Sequence, residues 1–174
     1  EELEAAQALA LQDLQALEDD PQGKVMVELA TRHYPSPYGI DRRGTAEGIT
    51  SLAIDDLRRF HAGLFHPEGV ILAVAGNIQW EPLREHVEAL FGDWQARTRP
   101  ALPIGPPPKG SGHLEKDLEQ TQIALAYPSV TVSDPDFYNA RGAIGVLSLD
   151  MSSRLFTNVR EKHGLCYAIY ASHE

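Results

Sequence analysis

With a single cysteine, Cys166, this chain cannot close an internal disulfide or build a multi-cysteine metal site. Basic residues are scarce beside acidic ones, fifteen against twenty-five, and the formal charge of -10 argues against a nucleic acid or an anionic membrane as partner. Aromatic residues make up only 7% of the chain and are scattered, so no stacking platform for single strands is present. Long apolar runs are missing as well: the longest, residues 70–75, falls far short of the roughly 20 residues needed to cross a bilayer. The chain opens Glu1-Glu2-Leu3-Glu4, acidic where a secretory leader would be basic. The acidity reads as a solubility feature. A soluble location, bacterial periplasm or cytoplasm, is the expectation, and the residues do not choose between the two.

What is present suffices for a core, because 43% of the 174 residues are hydrophobic. Leu3, Ala6, Ala10, Leu14 and Leu17 recur at helical spacing up to Glu18-Asp19-Asp20-Pro21, where proline and its predecessor resist further helix. A second helix is predicted after Pro21 on Met26, Leu29, Ala30 and His33. Tyr34-Pro35-Ser36-Pro37-Tyr38-Gly39 is a turn, and a loop continues through Gly44-Thr45. Leu57, Phe60, His61 and Leu64 mark a helix over 55–65; Ala53, its cap position, offers no acceptor. Residues 69–77, β-branched and bounded by glycines, read as a buried central strand, followed by a helix from about Glu81 with Leu83, Val87, Leu90 and Trp94 on one face.

From 96 to 112 the composition turns to proline and glycine, with Pro100, Pro103, Pro106, Pro107 and Pro108 among Gly105, Gly110 and Gly112. Such a stretch favours extended polyproline geometry and cannot complete a sheet ladder, so a domain boundary is placed there. Beyond it, 113–117 and 122–127 read as strands, and Ser133 or Asp134 as the cap of a helix on Phe137, Ala140, Ile144 and Leu147. Residues 1–95 and 113–174 thus read as parts of two α+β domains, with helices layered on sheets. Both ends read as cut, so the chain is expected to be a piece of a longer protein.

The closing stretch carries the most chemistry. Leu155 and Val159 share a helical face, Gly164 can take the left-handed conformation that ends a helix, and a strand is predicted from Leu165. Arg160 then lies near the helix end and Tyr167 seven residues on. A guanidinium and a phenol both donate and neither acts as a base near neutral pH, which suits a carbonyl oxygen that gains negative charge.

Ser-Ser-Arg-Leu-Phe from Ser152, Val-Arg-Glu-Lys from Val159 and Gly-Leu-Cys-Tyr from Gly164 resemble the signature in the second half of the M16 metallopeptidases, the insulinase, pitrilysin and mitochondrial-processing-peptidase family. The order before them is similar: the helix ending at Pro21, then Tyr38-Gly39, Gly44-Thr45, Ser51-Leu52, Asp56-Leu57, Phe60-His61, His66-Pro67 and residues 72–77 resemble the back of the family's first domain. Resemblance covers nearly the whole chain, most specifically after residue 150. It implies a LuxS/MPP-like half-clamshell with mixed or antiparallel sheets. It also implies that Arg160 and Tyr167 reach the substrate backbone near a zinc ion.

In that family zinc is held by H-x-x-E-H, which puts two imidazoles on one helical face with a glutamate as general base, plus a glutamate from a later helix. None of the seven histidines, His33, His61, His66, His86, His113, His163 and His173, sits in such a motif. The nearest string, Pro82-Leu83-Arg84-Glu85-His86, has proline in place of the first histidine. For the third ligand, the best register offers Asp13, one methylene shorter than glutamate, and Ala6 stands where the family's helix has another glutamate. Neither a G-x-S-x-G elbow nor a phosphate loop occurs, and Cys166 has no base beside it. The resemblance therefore implies a peptide-holding portion of a zinc peptidase, itself without metal or catalytic residues. Zinc would belong to the parent protein or a partner. The implied partners are a peptide or unfolded substrate and the missing half of the chain or a second M16 subunit. The alternative is a non-catalytic scaffold, comparable to the core subunits of the respiratory bc1 complex.

Overall fold

A computed structural model describes residues 2–98, 101–106, 108 and 110–173. Its helices are α1 (Glu2–Glu18), α2 (Pro21–His33), α3 (Ala46–Ser51), α4 (Ile54–Leu64), α5 (Trp80–Phe91) and α6 (Phe137–Ser148), followed by a π-helix at Phe156–Lys162. Two compact units divide the chain, Glu1–Ala124 and Leu125–Glu174. Among the described residues no helix is long and apolar enough to cross a membrane.

Local chemistry explains where the helices begin. The Asp20 carboxylate accepts the Gly23 N–H at 3.0 Å with Pro21 in the first turn, and Thr45 Oγ1 accepts the Gly48 N–H at 3.0 Å. Helix α4 lacks an acceptor at Ala53, but the Asp56 carboxylate reaches back to the Ala53 N–H at 2.9 Å, which satisfies one otherwise unpaired donor. In the first unit α1 packs on α2 and α3. Gln7 Nε2 donates to the carbonyls of Ile49 (2.7 Å) and Leu52 (3.1 Å), and among the described residues Leu17 and Ile49 are the buried hydrophobic ones. The turn after α2 closes on Gly39, whose N–H bonds Pro35 O at 3.3 Å and whose carbonyl accepts Thr31 Oγ1 at 3.0 Å.

The expected α+β architecture, with helices on mixed or antiparallel sheets, is not what the chain forms. Among the described residues there is no strand. The stretches expected as strands, 69–77, 113–117, 122–127 and 165–170, run without a ladder. Apolar, β-branched composition makes a backbone extended, but a strand also needs a neighbouring backbone to receive its hydrogen bonds, and composition does not supply one. Nor is 69–77 buried: Ile71 is 90% exposed.

The apolar face of α4, with Leu57, Phe60 and Leu64, is open to solvent. In the proline-rich segment, residues 99, 100, 107 and 109 lie outside the described residues, so the run at 106–108 is not followed. The described residues on either side of that run lie within the first unit and contact its helices and turns. Gly105 N–H bonds Ser36 O at 3.1 Å, Gly112 lies against the Arg32 guanidinium, and Lys116 Nζ donates to Glu18 O.

Candidate functional site

The second unit builds the site through the turn that launches the π-helix. Asp150 Oδ1 accepts both the Ser152 N–H (2.8 Å) and the Ser152 hydroxyl (2.7 Å), and the Ser153 N–H bonds Asp150 O at 3.1 Å. Ser153, buried, passes the chain on through its carbonyl to the Thr157 N–H at 2.9 Å. The Ser152 side chain, and then the backbone N–H groups, hold the Asp150 carboxyl below its ordinary value of 3.8. This turn is therefore stabilised above that value and loses the contribution as pH falls through the lower, folded-state pKa. The Ser152 amide resonance is expected to titrate with a midpoint below 3.8; a midpoint at or above it would show that the carboxylate does not hold the turn.

The far end of the π-helix is closed by Gly164, whose φ of +60° suits glycine, with Gly164 N–H on Arg160 O at 3.0 Å and Leu165 N–H on Val159 O at 3.1 Å. This reversal folds the following residues back towards the helix. Arg160 Cζ lies 5.7 Å from the centroid of the Tyr167 ring and 4.5 Å from that of Phe156. Arg160 and Tyr167, seven residues apart, are thus brought together. Tyr167 is 83% exposed, and its hydroxyl has no hydrogen-bond partner among the described residues. The Arg160 guanidinium likewise has no hydrogen-bond acceptor there, and its one carboxylate neighbour, Glu161, stands 3.9 Å away. Phe156 closes the Ser-Ser-Arg-Leu-Phe motif, and its spacing of four from Arg160 is the sequence signal for this contact.

The other positions singled out do not converge. Asp13 and Ala6 sit on exposed positions of α1 in the first unit. Among the described residues no three His, Cys, Asp or Glu side chains are grouped to hold a metal ion, so this donor set does not fit zinc. The histidines have separate surroundings. His61 stacks on Phe65 at 4.2 Å, His33 meets Tyr34 edge-on, and His66 is buried with Nδ1 unpartnered. His86 borders an open depression at the start of α5 with Asn77, Gln79 and Pro82. His173 Nε2 lies 2.9 Å from Ser129 Oγ, but its buried Nδ1 has no partner. That pair lacks the orienting group of a nucleophile and base relay.

Two aromatic rings beside a cation, one of them a phenol with a hydroxyl to donate, make a donor pair, with no metal-ligand cluster among the described residues. The chain belongs to the M16 peptidase family: residues 51–174 match the family model described as the peptidase M16 inactive domain. Over 175 residues it is 30% identical to the uncharacterized zinc protease YmxG of Bacillus subtilis, covering 99% of this chain and 42% of that protein. An uncharacterized zinc protease of Streptomyces coelicolor is 30% identical over 98% of this chain and 39% of its own length. A crystal structure of a peptidase M16 inactive domain from Pseudomonas fluorescens shares the fold, with a TM-score of 0.66 at 23% identity over 97% of this chain and 42% of that one. The chain therefore spans about two fifths of the length of these relatives. It is an M16 inactive-domain-type region of the kind found in zinc-protease-like proteins.

Proposed function

We propose that this chain holds peptide substrate within an M16 zinc-protease-like protein, with Arg160 and Tyr167 donating to a backbone carbonyl of the peptide. The observation that carries the reading is the approach of the guanidinium to the phenol ring, 5.7 Å, with the donors of both side chains left without acceptors among the described residues. An extended peptide presents unpaired carbonyls, and each costs free energy if it is desolvated without a donor. The chain contributes no zinc ligand in this reading, and no step of hydrolysis is assigned to it. Cleavage belongs to the remainder of a longer protein or to an M16 partner subunit. Residues 1–95 then form the end of a first M16-like domain, 96–112 a connection, and 113–174 the start of a second.

In the full-length protein, Tyr167→Phe removes one neutral donor and leaves the ring over Arg160. Peptide binding is expected to weaken by about two- to tenfold, with the thermal midpoint unchanged. Unaltered binding would remove the phenol from the site. A second reading, a scaffold subunit without substrate, is favoured by the match to a domain described as inactive. The two part on one measurement, since a scaffold would bind peptide no better than its Arg160 variants do.

A further inference from the structure

The proposed carbonyl donor raises a physical difficulty that Phe156 resolves. Arginine carries about 2 kcal/mol of rotamer entropy, and Arg160 has no carboxylate or carbonyl at hydrogen-bond distance among the described residues to fix it. Glu161, 3.9 Å away, could fix it only by taking up the donors that a peptide needs. An aromatic face can attract the same cation without accepting any of its conventional hydrogen bonds. Phe156 stands four residues before Arg160 on the π-helix, and its centroid is the nearer of the two rings, 4.5 Å against 5.7 Å. We infer that Phe156 is a positioning residue: its ring holds the Arg160 guanidinium away from Glu161 and leaves the N–H groups available to the peptide. This inference rests on the peptide-holding reading above.

The test is a double-mutant cycle in the full-length protein, read by fluorescence polarisation of a fluorescein-labelled, unstructured peptide. Phe156→Leu removes the ring and keeps apolar volume, and is expected to weaken binding by about two- to fivefold. Phe156→Tyr restores a ring and is expected to restore binding. In an Arg160→Met background, Phe156→Leu is expected to change nothing further, because Phe156 acts through the guanidinium. An equal loss in both backgrounds, or no loss in either, overturns the positioning role while leaving the peptide-holding reading intact. Full binding by Arg160→Met overturns both. Should Phe156→Leu fail to fold, the δ-methylene protons of Arg160 in the unaltered protein give a separate readout. A stacked guanidinium moves them upfield by ring current, and random-coil positions would overturn the inference.

Discussion

Replacing Arg160 by methionine is expected to weaken peptide binding by roughly ten- to a hundredfold in the full-length protein, the largest loss at this site. Methionine keeps a long apolar stem over Phe156 but removes the charge and every N–H donor. A hydrogen bond to a charged donor contributes about 1.5–3 kcal/mol, and each 1.4 kcal/mol is tenfold in affinity. Arg160→Lys should fall between, since an ammonium retains the charge without the planar fork. The guanidinium side chain is one-third exposed, and among the described residues Glu161 is its only ion-pair neighbour, at 3.9 Å, so folding should depend little on it. Binding within twofold of the unaltered protein, at an unchanged thermal midpoint, would take Arg160 out of the site and with it the peptide-holding reading.

What the sequence made legible follows from how locally each feature is determined. Helices α1, α2, α4, α5 and α6 form where apolar spacing and turn residues place them, because each helical hydrogen bond closes within a few residues. Their edges are less legible. Asp134 was expected as a cap of α6, but its carboxylate accepts the Asp136 N–H at 2.9 Å and the helix begins at Phe137. Helix α3, just past the loop expected through Gly44-Thr45, carries no expectation of its own, since six residues hold too little apolar pattern; Thr45 before Gly48 is its one signal. The strands could not be settled from their own residues. Ile71, Ile123 and Leu165 have the composition of strands, yet a ladder depends on a second segment, and no such pairing occurs among the described residues.

The candidate site was legible for a different reason. Arg160 and Tyr167 are joined by a short reversal at Gly164, so local geometry alone brings them near each other. The π-helix beneath them was not foreseen, because Leu155 and Val159 at a spacing of four suit an α-helix equally well. Asp13 illustrates the opposite limit. A metal ligand is defined by partners distant in sequence, and no alignment along α1 could show whether two more donors stand beside it.

Leu17→Ala is expected to cost about 2–4 kcal/mol, whereas Leu9→Ala on the same helix should stay within about 0.5 kcal/mol. Both remove the same atoms at the same intrinsic helix preference, and only their surroundings differ. Leu17 is 6% exposed and its Cδ1 lies against the backbone of Gly23, where α1 turns into α2; Leu9 is 61% exposed. Leu17 and Ile49 are the buried hydrophobic side chains among the described residues of the first unit, so its stability should depend most on them. Urea denaturation followed by far-ultraviolet circular dichroism separates the two variants. A large drop in midpoint for Leu17→Ala alone locates the core at the junction of α1 and α2. Equal midpoints would mean that this junction contributes no more to stability than the solvent-facing side of α1.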